Sequence, residues 1–190
     1  PEQYYIHNIR YERRIPVAVL DHEYSTEPYG TYAERQREAL EDAATREQGL
    51  YSEIAKLEIG RWANVEDDVV LAAVERINSR EDCSDFYLVG LLGMLYRYAD
   101  RSTFPPGLRE PLEACVLGFK YWHDEPGADA MCYTTENHSI LFHACEVLAG
   151  QRYPDHVFSN VGERGQWHRE KGERLALDWL RQRGTTGFTE

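Results

Sequence analysis

Two short stretches gather the residue types that could do chemistry together. They are Tyr121-Trp122-His123-Asp124-Glu125-Pro126-Gly127 and Thr134-Thr135-Glu136-Asn137-His138. Carboxylates, imidazoles, an amide and aromatic rings sit close in sequence there. Such groups can give and take protons, bind hydroxyls and stack on flat apolar faces. On a wheel of 100° per residue, the second stretch opens a helix with Leu141, Ala144, Cys145 and Leu148 on one apolar stripe. Asn137 and His138 crown that stripe. Glu136 lies on another side, above Ile140 and His143. The opening turn adds free N–H groups and a positive dipole end. A plainer reading competes: an acid in a first turn favours the dipole, and Asn and His near a helix start satisfy backbone groups. Trp122 equally suits packing, and Asp124 and Glu125 suit a solvated loop.

Other chemistries lack their spacing. His138 and His143 are five residues apart, about 140° around a helix, whereas a helical HExxH pair needs four. No metal site and no cofactor are expected on this ground. No G-x-S-x-G is present, and neither Ser139 with His143 nor Cys132 with His138 makes a nucleophilic pair by sequence proximity. Phosphate-binding glycine loops are absent from the sequence.

Composition narrows the field. Acids outnumber bases 33 to 21, the formal net charge is −12, and the one basic cluster is Arg10, Arg13 and Arg14. Nucleic acid and anionic lipid surfaces are therefore poor partners. No apolar run reaches the roughly 18 residues of a membrane span. The four cysteines, Cys83, Cys115, Cys132 and Cys145, form no CxxC. Cys115 and Cys145 fall in apolar helical stripes and read as buried free thiols, which leans toward a reducing compartment. The start at Pro1 without Met and the end at Glu190 straight after a predicted helix suggest a piece of a longer protein, from which a leader could have been removed.

The elements that must position these residues are helices. Residues 1–30 read as an irregular arm, with Val17-Ala18-Val19-Leu20 a short extended run. Residues 31–190 read as one helical domain. One long helix is expected over 31–60, with Gly60 as its stop. Others are expected over Val65–Arg80, from Asp82 or Ser84 to Ala99, from Pro105-Pro106 to Tyr121, over Glu136–Ala149 with Gly150 as stop, and over Gly165–Arg183 with Gly184 as stop. Leu175, Ala176, Trp179 and Leu180 would form the core face of the last. The most apolar helices begin near residues 83 and 136, a period of about 53 that next falls near 190. More amphipathic helices lie between them. An all-α fold of antiparallel pairs follows, either about half of a twelve-helix ring or an irregular helical domain.

Over roughly residues 50–190 this pattern resembles the (α/α)6-toroid group of carbohydrate-active proteins, which includes glycoside hydrolases and polysaccharide lyases. Glu136-Asn137-His138, the loop 122–127 and Leu148-Ala149-Gly150-Gln151 carry the likeness. It implies a site where the inner helices begin, with Asp82, Asp85, Asp124, Glu136 and Glu190 near one mouth. A glycan substrate is the implied partner. Hydrolysis would use Glu136 as acid with Asp124 or Glu190 as second carboxylate. Trp122 and Tyr133 would stack on sugars, with Asn137, His138 and His123 binding hydroxyls. Lyase chemistry would instead hold a uronate at Asn137 and the helix start, with His138 or Tyr133 as base. Between Lys120 and Asp155 six acids face two bases. That surplus favours a neutral glycan and hydrolysis. A third reading is a non-catalytic helical scaffold that binds a partner protein through the polar helix 31–60.

Overall fold

A computed structural model describes residues 29–46 and 49–188. The expected arm, apart from Tyr29 and Gly30, and Glu190 lie outside the described residues. The described residues are all-α, with seven α-helices: α1 (Tyr32–Arg46), α2 (Leu50–Glu58), α3 (Asp67–Asn78), α4 (Ser84–Arg97), α5 (Arg109–Gly118), α6 (Glu136–Arg152) and α7 (Gly165–Thr186). A single 3-10 turn, Trp62–Asn64, precedes α3. Among the described residues no helix is long and apolar enough to cross a membrane.

The long helix expected over 31–60 is two helices. The chain is extended at Gly49. There Ser52 Oγ accepts the Gly49 amide at 3.1 Å and donates to the Gly49 carbonyl at 2.7 Å. This local bonding offers the backbone an alternative to continuing the helix. α1 and α2 then pack on each other, with Ala33 and Arg37 beside Glu58 and Ile59 across one cleft. Their directions are therefore opposed.

Hydrogen bonds at both ends give the directions of the apolar helices. Tyr51, opening α2, donates to the Phe86 carbonyl in the first turn of α4, and Arg97, closing α4, donates to Glu58 at 2.9 Å at the end of α2. Asp85, opening α4, meets His138, opening α6, and Tyr96 donates to the Leu148 carbonyl at 2.8 Å near their far ends. Helices α2, α4 and α6 thus run parallel, with their opening turns at one end. The intervening helices return the chain. Arg76 in the last turn of α3 reaches Tyr87 in the first turn of α4. Arg109 at the start of α5 bonds Ala99 just past the end of α4. Arg183 at the end of α7 pairs with Glu136 at the start of α6.

α4 is buried on most sides, as its sequence predicts: Leu88, Leu91, Leu92, Met94 and Leu95 have no exposed surface. Cys115 and Cys145 are buried free thiols. Gly150 does not stop α6, which continues to Arg152. A Cβ there would overlap the Gly165 carbonyl oxygen and lie 2.5 Å from the Arg169 amide nitrogen. α7 backbone passes close against Gly150, so its lack of a side chain serves packing. Likewise α7 runs through Gly184 and ends before Gly187, whose φ is +77°. Of the α7 face expected in the core, Leu175, Ala176 and Trp179 are half-buried and Leu180 is exposed. The buried face carries Gly165, His168, Lys171 and Gly172.

Candidate functional site at the opening turns

The parallel run of α4 and α6 brings Asp85 and His138 together although they are 53 residues apart in sequence. His138 Nδ1 lies 2.7 Å from Asp85 Oδ2. Both residues are buried, and the His138 ring packs edge-on to Phe86 at 5.0 Å. Burial pushes the Asp85 carboxyl up, and the bond from His138 opposes that rise. Against an ionised Asp85, which only accepts, Nδ1 is the nitrogen that carries a proton, and a neutral ring would then keep its lone pair on Nε2.

The first turn of α6 presents this imidazole. Thr135 precedes it in an extended conformation. Asn137 Oδ1 accepts from Thr135 Oγ1 at 2.7 Å and from the His138 amide at 2.8 Å. Ser139 Oγ donates to the Tyr133 and Thr135 carbonyls. Together these bonds organise a helix start whose positive dipole end faces the opening. Just before it, the amides of Thr134 and Thr135 draw the Cys132 thiol below its ordinary pKa.

Glu136 is buried and ion-paired with Arg183. It borders a cavity of about 240 Å³ lined also by Asn137, Ile140, Trp179 and Phe188. Trp179 and Phe188 rings lie 5.8 Å apart there. The aromatic surface beside Glu136 and Asn137 thus comes from α7 and the residue after Gly187.

The other expected residues are elsewhere. Asp124 pairs with Lys171 at 3.1 Å. Lys171 and Arg183 are twelve residues apart on one continuous helix, about 18 Å along its axis. Asp124 and Glu136 are therefore not brought together as an acid/base pair. His123 is exposed beside the Trp122 ring. Trp122 and Tyr133 pack with Phe142 and His143: Tyr133 to Phe142 is 4.6 Å and Trp122 to His143 is 4.3 Å between centroids. Their faces are used by this cluster. Burial, and then the charge of Asp129, push the Tyr133 hydroxyl above its ordinary pKa, so it holds its proton.

Sequence reasoning missed a second polar group, enclosed between α6, α7 and the 121–127 loop. Lys171 Nζ lies 2.7 Å from Glu125 Oε1 and 3.5 Å from Glu146 Oε1. His168 Nδ1 meets Glu146 Oε1 at 3.0 Å. Glu125 Oε2 also accepts the Tyr121 amide and Asn160 Nδ2. Burial raises the Glu146 carboxyl, with His168 and Lys171 opposing. The available signal was the placement of His168 and Lys171 three apart on the face of Gly165 and Gly172, where a close partner helix must pass.

Among the described residues, two groups bring three possible metal-ligating atoms within 4.8 Å of one another: Asp82, Cys83 and His138 at the opening, and Glu125, Glu146 and His168 inside. Spacing along one helix could not disclose either, because each group joins separate elements. In the second group Lys171 already supplies a cation. In comparisons with protein-family models, curated proteins and solved structures, nothing matches this chain. The chemistry open to the first group is proton transfer through an oriented imidazole, or ligation of a cation.

Proposed function

We propose that this is a carbohydrate-active protein with its site at the opening turns of α2, α4 and α6, and that it cleaves a uronate-containing glycan by elimination. The observation that carries this reading is the 2.7 Å contact between Asp85 and His138. The alternating parallel and returning helices also support about half of an (α/α)6 toroid, in which these turns would face a common mouth.

In the proposed step His138 Nε2 takes the proton beside the uronate carboxylate. The C–H electrons form a double bond, and the glycosidic oxygen departs with its bonding pair and takes a proton from water, whose hydroxide is neutralised when the imidazolium later releases its proton. Asp85 holds the ring in the required tautomer and stabilises the imidazolium. Asn137 and the opening turn of α6 receive the carboxylate. Trp179 and Phe188 offer apolar contact to a sugar ring.

Hydrolysis needs a second carboxylate flanking the bond with Glu136; of the two expected, Asp124 is held elsewhere by Lys171, and Glu190 lies outside the described residues. The local acid surplus also loses force as an objection to a polyanion. Lys171 pairs with Asp124, Glu125 and Glu146, Lys120 with Asp129, and Arg183 with Glu136. Lys171 and Arg183 come from α7, beyond the segment in which that surplus is counted.

The test is incubation with a panel of uronate polymers, following the ultraviolet absorbance of the unsaturated product. Wild type should generate it, and His138→Ala should lose about 100-fold or more in rate. New reducing ends without that absorbance would replace elimination with hydrolysis. Absence of glycan binding and turnover, with a protein partner co-purifying, would favour the scaffold reading.

A further inference from the structure

We infer that the opening turns also form a binding site for a thiophilic divalent cation of the zinc type, held by Cys83 Sγ, His138 Nε2 and an Asp82 carboxylate oxygen. Three observations converge. First, one ligand atom from each residue, a ring nitrogen in the case of His138, falls within 4.8 Å of the other two; with Nδ1 held by Asp85, Nε2 is the nitrogen left to a cation. A tetrahedral zinc site with bonds of about 2.0–2.3 Å spaces its ligand atoms about 3.3–3.8 Å apart, so a closure of at most about 1.5 Å completes the set. Second, Asp85 already occupies His138 Nδ1 at 2.7 Å. A carboxylate on the far nitrogen is the outer partner that zinc-bound imidazoles usually have, since it fixes the ring and raises its basicity. Third, the turn between α3 and α4 is shaped locally around Cys83. Its φ is +64°, and Asp82 Oδ1 accepts the Cys83 amide at 3.0 Å.

The ligand set selects the metal. Thiolate with imidazole and one carboxylate suits zinc or cobalt and is a poor match for magnesium or calcium, which prefer oxygen alone. Asp82 is exposed and Cys83 half-buried, so water can reach the group. Three protein ligands leave one position for water, an exchangeable arrangement.

A cation on Nε2 takes the lone pair that proton abstraction requires. Metal loading should therefore switch off the elimination. That consequence rests on the function proposed above; binding of the metal does not.

The experiment is titration of reduced, metal-free protein with Co²⁺ alone, read by its visible d–d bands and near-ultraviolet thiolate charge-transfer band. One equivalent should develop both. Cys83→Ser should abolish the charge-transfer band, and His138→Gln should weaken binding at least about 10-fold. Asp85→Asn should keep the band and weaken binding about 10- to 100-fold. Circular dichroism checks that each variant folds; if Cys83→Ser does not, His138→Gln carries the test. A wild type without a charge-transfer band, a Cys83→Ser protein that keeps it, or a His138→Gln protein with unchanged affinity overturns the site. Zn²⁺ is then added to the elimination assay. Cobalt binding as expected with elimination untouched would remove His138 from the proposed reaction and leave the metal site standing.

Discussion

Replacing Lys171 with Met should cost about 3–5 kcal/mol, the cost of stranding buried charge. Lys171 is 7% exposed, and Glu125 and Glu146 are 6% and 0% exposed. The ammonium makes contacts of 2.7, 3.1 and 3.5 Å to Glu125, Asp124 and Glu146. Burial alone would lower its pKa, but Glu125 and Glu146 hold it above the ordinary lysine value. Met keeps most of the volume and removes the charge. Glu125 retains the Tyr121 amide and Asn160, whereas Glu146 retains only His168. Since domains of this kind are stable by about 5–15 kcal/mol, the loss is a large share of the total. Urea denaturation at neutral pH, followed by tryptophan fluorescence, measures it through the midpoint. Adding Glu146→Gln removes the stranded charge and should restore about 1–2 kcal/mol. A Lys171→Met protein within about 1 kcal/mol of wild type, or a double variant with fully additive losses, would refute the account of this network.

His143 should make stability fall with acid. Burial, reinforced by Lys171, lowers its pKa to about 4. A histidine depressed in the folded state contributes stability that is complete above about pH 6.5 and lost as pH falls toward 4, about 3 kcal/mol in all. Asp85 and Glu146 are raised by burial and act oppositely, so the difference between wild type and His143→Phe across this range isolates the term. Gly150→Ala should destabilise by about 1–3 kcal/mol, because its Cβ meets α7 backbone. Thermal melting checks that substitution, and an unchanged midpoint would deny the close helix approach. Trp179→Ala should weaken glycan binding about 10-fold while leaving the Co²⁺ bands intact, since Trp179 lines the cavity and is absent from the ligand group; equal loss of both would show that the opening had collapsed.

Much of the helical plan was legible because helix burial repeats every 3.6 residues. The stripe Val70, Ala73, Val74 and Ile77 in α3 and the nearly all-apolar α4 announce themselves. So does the start of α6 at Glu136. Helix ends were less legible where glycines have two meanings. Gly150 and Gly184 look like stops, yet helices pass through both, because a glycine that ends a helix and one that admits a neighbour are the same letter. The break near Gly49 was missed because apolar residues at helical spacing, Ala43 and Ala44 before it and Leu50, Ile54 and Leu57 after it, continue across it.

For the site, sequence alone determined that a polar turn crowns an apolar helix at Glu136, Asn137 and His138, since that depends only on neighbouring residues. It also placed Cys115 and Cys145 inside. Tertiary structure alone decided the partners. Asp85 reaches His138 because α4 and α6 run parallel, Arg183 reaches Glu136 because α7 returns along α6, and Lys171 draws Asp124 away from both. Periodicity records which side of a helix is buried. It carries no information about which distant helix, at which height, supplies the opposing charge.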